Sequence, residues 1–155
     1  MELKEYQIRA LSEVKIYFNL LAEWREKAEQ NPEFEIDFPV KAWEKAGIAR
    51  SYRSRKNGIG EPLPNFCLKI PTGGGKTFLA VKMIDLVNMV YRKKNTGLVL
   101  WIVPTTQIYR QTILSLKDRD HPYRQHLDLA SGGRRLSLKK GTDFHRWMLK
   151  IISWF

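Results

Sequence analysis

Lys69-Ile70-Pro71-Thr72-Gly73-Gly74-Gly75-Lys76-Thr77 is the stretch on which the reading of this chain turns. The apolar run Phe66-Cys67-Leu68-Lys69-Ile70 leads into it and reads as a strand, and Phe78 to Tyr91 leads out of it and reads as a helix. A glycine run alone would describe a flexible turn. Gly-Lys-Thr between a strand and a helix describes a phosphate-binding loop instead. Consecutive glycines let the backbone approach phosphate oxygens and aim N–H groups at them, and the following helix adds the positive end of its dipole. Thr72, Gly73, Gly74, Gly75, Lys76 and Thr77 are therefore the candidate nucleotide-binding residues. Lys76 is the candidate catalytic group, reaching the β- and γ-phosphates of ATP, and Thr77 is the candidate magnesium ligand. The strict pattern places a glycine five residues before Gly75, where this chain has Ile70.

Downstream, Leu98-Val99-Leu100-Trp101-Ile102-Val103 is a continuous apolar run, the pattern of a strand buried on both faces of a parallel sheet. Strand, helix and strand in this order imply a right-handed crossover. The helix between them should end near Arg92-Lys93-Lys94, with Gly97 soon after. Pro104-Thr105-Thr106-Gln107-Ile108-Tyr109-Arg110-Gln111 then opens another helix, whose hydroxyls and first N–H groups suit a phosphate. Thr105 also fits a plain helix cap. Leu127-Asp128-Leu129-Ala130 is a candidate third strand before the turn Ser131-Gly132-Gly133. Upstream, apolar residues spaced by three and four from Leu3 to Trp24 describe an amphipathic helix over residues 2–28, which contains Tyr6-Gln7.

Pro-Thr-Gly-Gly-Gly-Lys-Thr resembles motif I of superfamily 2 helicases and translocases, and Pro104 to Gln111 resembles their motif Ia. Tyr6-Gln7 is similar to the element that precedes motif I in the motor subunit of type III restriction enzymes. The resemblance covers roughly residues 2–135. It implies an α/β fold, part of a RecA-like P-loop NTPase domain with a parallel sheet flanked by helices. It further implies that Gln7 reads the adenine edge of ATP, with Mg2+ as the companion ion. It implies that Thr105, Thr106, Arg110 and Gln111 grip the backbone of a nucleic acid, double-stranded DNA being the expected form. A modification subunit, or the C-terminal portion of the motor, would be its protein partner. Residues 1–135 are thus expected to be the front of the motor domain and 136–155 an atypical tail.

Residues 30–63 read as an insertion. Asn31-Pro32, Phe38-Pro39, Gly47, Asn57-Gly58, Gly60 and Pro62-Leu63-Pro64 punctuate it, with room for one short helix around Val40 to Ala46. Arg50-Ser51-Tyr52-Arg53-Ser54-Arg55-Lys56 interleaves cations with a tyrosine, as nucleic-acid loops do, although a mobile, solvated loop fits the same composition.

Composition agrees with these expectations without specifying them. The chain has 155 residues, long enough for one domain with a core, and a net charge of +11 from 27 Lys and Arg against 16 Asp and Glu. From Arg92 onward it carries 13 of those cations and 4 of the acids, so the excess beyond the loop suits a polyanion. No run of about 18 apolar residues suggests a membrane span, and no secretory signal opens the chain, so a cytoplasmic location is expected. Cys67 is the single cysteine, which excludes an internal disulfide and a cysteine-based zinc cluster, and its place on the expected strand suggests a small buried hydrophobe. His121, His126 and His145 lack metal-ligand spacing with carboxylates.

No Asp-Glu dipeptide occurs in the sequence. Superfamily 2 motors use that pair to hold magnesium and activate water, so the chain is expected to bind ATP but hydrolyse little or none alone. It resembles a motor domain truncated before that motif, and Phe144 to Phe155 carries no motif of the family. Two other readings stay open: a small P-loop phosphotransferase, and a non-catalytic remnant that holds nucleotide or nucleic acid.

Overall fold

The computed structural model describes residues 2–132, 136–140 and 148–154. The chain divides into two compact units, Glu2–Gly75 with Val90–Arg92, and Lys76–Met89 with Lys93–Phe155.

The first unit is built on α1 (Glu5–Gln30) and α2 (Phe38–Lys45), which pack on each other. The first begins where Gln7, at its third position, accepts a hydrogen bond from the Lys4 N–H through its side-chain carbonyl at 2.9 Å. The periodic apolar residues Val14, Tyr17, Phe18 and Leu21 are buried. Asp37 caps α2 by accepting from the Val40 N–H, and Pro39 takes an early position where no N–H is needed. Between the helices lies an aromatic cluster. Tyr17 meets the edge of Trp43 at 5.3 Å between ring centroids, and Phe66 stands at 6.2 Å from Tyr17 and 5.6 Å from Phe18. Burial raises the Tyr17 phenol far above its ordinary range.

Phe66 explains one departure from the sequence reading. The stretch 66–70 forms no regular strand, its first ring being anchored in the aromatic cluster. Cys67 is exposed rather than a buried hydrophobe.

The second unit contains α3 (Lys76–Leu86), β1 (Gly97–Val103), α4 (Thr106–Lys117), α5 (Pro122–Ala130), β2 (Leu136–Lys140) and β3 (Met148–Trp154). A π-helical turn, Val87–Arg92, follows α3, and Lys93, at φ 51°, ends it in the left-handed conformation. Val81, Leu116 and Leu127, from three helices, form the centre of the core. Ile84, Val99, Trp101, Tyr123 and Leu138 pack around them.

The three strands form a sheet in the order β1-β3-β2, with both pairs antiparallel. Gly97 lies opposite Trp154 and Val103 opposite Met148, while Leu136 lies opposite Trp154 and Lys140 opposite Lys150. The parallel sheet expected from sequence is therefore not what these strands form. The motif-free tail supplies β3, which takes the place beside β1. The apolar run of β1 is also covered on one face only. Val99 and Trp101 pack on the core, whereas Leu98, Leu100 and Ile102 are exposed.

Leu127 to Ala130, expected as a strand, is the last turn of α5. His121 caps that helix by accepting from the Tyr123 N–H, Pro122 begins it, and Arg124 bonds both oxygens of Asp128 at 2.9 Å one turn later. Tyr123, Leu127 and Ala130 then share the inward face, and Leu129 points outward.

Candidate nucleotide and nucleic-acid sites

The glycine loop needs its glycines for two separate physical reasons. Gly73 and Gly75 both stand at φ 76°, a region that side chains disfavour. Gly74 and Gly75 have no room for a side chain. A Cβ on Gly74 would lie 2.6 Å from Ile70 Cγ2 and 2.9 Å from the Pro71 carbonyl oxygen, and one on Gly75 would lie 2.6 Å from Gln7 Nε2. Ile70, the residue that breaks the strict phosphate-loop pattern, is thus the one that fills the space above Gly74.

The loop is also tied to the start of α1. The Gly74 N–H donates to the Pro71 carbonyl at 3.0 Å and closes a turn. The Gly74 carbonyl accepts two hydrogen bonds, from the Tyr6 hydroxyl at 2.9 Å and from Gln7 Nε2 at 3.0 Å. Gln7 is buried, with 5% of its surface exposed. Among the described residues all peptide bonds are trans, and in a planar trans peptide the C=O and the following N–H point in opposite directions. Fixing the Gly74 carbonyl toward α1 therefore fixes the Gly75 N–H away from it.

Sequence reasoning named Gln7 and the loop but left out Tyr6, whose hydroxyl shares the Gly74 carbonyl. The signal was present in the Tyr-Gln pair, since a half-exposed aromatic at the start of an amphipathic helix has its polar end available for such a bond.

In the second unit, Lys76 and Thr77 form the first residues of α3, Lys76 exposed and Thr77 half-buried. Thr105 caps α4, accepting from the Ile108 N–H through Oγ1 at 3.3 Å. Thr106, Arg110 and Gln111 follow within the first two turns of that helix, and all four side chains are exposed while Thr112 and Leu116 are buried. The four residues read as a nucleic-acid contact thus lie together at one helix start, where free N–H groups and a guanidinium can meet phosphate oxygens.

Also in this unit, His126 Nδ1 lies 3.2 Å from Lys82 Nζ, with the His126 ring 5.6 Å from that of Phe78. Burial, and then the Lys82 charge, hold the His126 pKa below its ordinary value. Among the described residues, no group of three or more His, Cys, Asp or Glu is placed to hold a metal ion, and no helix is long and apolar enough to cross a membrane.

A family model described as type III restriction enzyme, res subunit, matches residues 1–145. The chain belongs to this family. Membership in the res-subunit family carries a RecA-like P-loop fold and a helicase-type, ATP-binding motor. The res-subunit family acts on nucleic acid and uses ATP with Mg2+. No curated protein and no solved structure matches the chain.

The described residues fit such a cofactor. The loop has a Gly75 N–H directed away from α1 and two glycines in the left-handed region.

Proposed function

We propose that the chain is the ATP-binding and DNA-binding front part of a motor of the type III restriction kind, with little or no ATP hydrolysis of its own. The observation that carries this reading is the double hydrogen bond to the Gly74 carbonyl, which fixes the glycine loop against α1. A loop ordered in advance loses less freedom on binding.

In this reading, Thr72, Gly73, Gly74 and Gly75 surround the phosphates with backbone groups. Lys76 places its ammonium on the β- and γ-phosphates, and the Thr77 hydroxyl holds magnesium. Gln7 spends one donor on Gly74 and one acceptor on Lys4. A primary amide keeps one donor and one acceptor position beyond these, the pair that an adenine edge requires. Thr105, Thr106, Arg110 and Gln111 hold the backbone of double-stranded DNA. Bound ATP with magnesium would supply the phosphoanhydride that the full motor cleaves. Since the sequence has no Asp-Glu pair, this chain offers no such carboxylates to activate water.

The domain assignment belongs to the same proposal. Residues 1–135 form the front of a RecA-like motor, 30–63 are an insertion and 136–155 an atypical tail. A modification subunit or the C-terminal motor portion is the protein partner, and the location is cytoplasmic.

The test is an equilibrium titration of the whole chain with ATP and Mg2+, followed by a turnover assay with and without duplex DNA. Saturable binding that Lys76→Ala weakens at least about ten-fold, roughly the 1.4 kcal/mol of one charge-assisted hydrogen bond, is expected with no DNA-stimulated turnover. Rapid turnover stimulated by DNA, or ATP binding indifferent to Lys76, would overturn the reading.

A further inference from the structure

We propose that residues 50–65 form a cationic hairpin whose apolar tip, Ile59, enters a nucleic acid between adjacent bases while Arg50, Arg53, Arg55 and Lys56 hold its backbone. The proposal rests on the nucleic-acid reading above but concerns a different part of the chain.

The segment is built as a hairpin. The Leu63 N–H donates to the Arg55 carbonyl at 2.7 Å, Lys56 pairs with Pro62 in an antiparallel bridge, and the Asn57 N–H donates to the Glu61 carbonyl at 2.9 Å. Its tip, Asn57-Gly58-Ile59-Gly60, is held from within. The Gly60 N–H donates to the Asn57 carbonyl, and Asn57 Oδ1 accepts from the N–H groups of Ile59 at 3.1 Å and Glu61 at 2.9 Å. Gly60, at φ 85°, makes the return possible.

The base of the hairpin is braced against α2. Trp43 Nε1 donates to the Arg50 carbonyl at 2.6 Å, the Tyr52 ring lies 5.4 Å from that of Trp43, and Ser54 bonds to Asp37. The Asn65 backbone N–H donates to the Tyr52 hydroxyl at 3.0 Å. Tyr52 therefore serves as a strut and not as a stacking surface for bases. These bonds also replace the mobile loop that composition suggested.

What the brace presents is one arm bearing four exposed cations, none of which enters an ion pair among the described residues. The acid on the other arm, Glu61, is held by Asn57 Nδ2 at 2.8 Å. Ile59 is 80% exposed, the highest value among the exposed large apolar residues described. A single exposed isoleucine is ordinary. One fixed at the tip of a rigid turn beside four unpaired cations has the form of an apolar wedge, which unstacks a base step while the cations bind phosphates. Its small apolar area gives little for a bilayer to hold.

The test uses the whole chain with a DNA duplex carrying 2-aminopurine, read by its fluorescence and by the salt dependence of binding. Binding of the wild type should raise the fluorescence as the probe unstacks. Ile59→Ser should keep the affinity and its salt slope but lose that rise. Replacing Arg50, Arg53, Arg55 and Lys56 together by Ala should reduce the slope of log K against log salt by about 3 to 4. A full fluorescence rise from Ile59→Ser would overturn the wedge, and an unchanged slope in the four-cation variant would overturn the grip. Both results leave DNA binding itself standing. A wild type that does not bind the duplex at low salt would instead remove the underlying reading and the proposal with it. Ile59-dependent binding to phosphatidylserine vesicles, with no Ile59-dependent signal on DNA, would overturn it in favour of a membrane surface. All five positions are exposed, and unchanged circular dichroism verifies that the variants fold.

Discussion

Gly75→Ala tests whether Gln7 holds the phosphate loop, because Gly73→Ala provides a control at the same backbone angle. Both glycines stand at φ 76°, so both substitutions carry the left-handed penalty of about 1 to 2 kcal/mol. They differ in space. Nothing lies within 4 Å of a Cβ at Gly73, whereas a Cβ at Gly75 would lie 2.6 Å from Gln7 Nε2. That contact is too short to survive, so the amide end of Gln7 must shift. It then loses its bonds to the Gly74 carbonyl and the Lys4 N–H, about 1 kcal/mol each. The expected cost is about 1 to 2 kcal/mol for Gly73→Ala and about 3 to 4 kcal/mol for Gly75→Ala. Urea denaturation of the whole chain would measure both, and a double-mutant cycle with Gln7→Ala isolates the contact. Gly75→Ala should cost less by about 2 kcal/mol when Gln7 is already truncated, since the clash and the bonds are both gone. Equal costs for the two glycines, or additive costs in the cycle, would refute this account of the loop.

Two further predictions concern the second unit. The folded-state pKa of His126 is lowered, so the unfolded chain binds the proton more readily. The stability contributed by the neutral ring is then fully present above the unfolded value near 6.5 and is lost as pH falls from there through the depressed folded value. His126→Gln should flatten the denaturation midpoint between about pH 7 and pH 5, and an unchanged pH profile would count against it. Thr105→Ala should destabilise by about 1 kcal/mol through the lost helix cap and Thr105→Ser by much less, as measured by thermal unfolding. If the two variants melt alike, the capping role is wrong.

The parts of the fold legible in the sequence were those whose signal is local and long. α1 followed from its three-and-four spacing, β1 from its apolar run, and α4 from Pro104 and the capping Thr105. A spacing that carries chemistry singles out the glycine loop, Gln7 and the start of α4 as candidates, and the structure bonds Gln7 to the Gly74 carbonyl and makes Thr105 the cap of α4. Pairing was less visible. Leu98 to Val103 has the composition of a strand buried on both faces, but exposure depends on what lies beside it, and Leu98, Leu100 and Ile102 are uncovered. Leu127-Asp128-Leu129 alternates for too few residues to outweigh a His121-Pro122 start and the Arg124–Asp128 pair, which fix a helix. The stretch 66–70 was apolar enough for a strand, yet Phe66 is committed to the aromatic cluster of the first unit. Local pattern assigns no role to the Tyr6 hydroxyl, because its recipient lies 68 residues away, a distance no such pattern spans.

The most direct measurement is an ATP titration in the presence of Mg2+, followed by backbone amide chemical shifts of the isotopically labelled chain. The amides of Gly73, Gly75, Lys76 and Thr77 should move furthest and saturate together, with smaller changes at Gln7 and Tyr6 through the Gly74 carbonyl. Shifts confined to other residues, or none at millimolar ATP, would contradict the assignment of this loop as the nucleotide site.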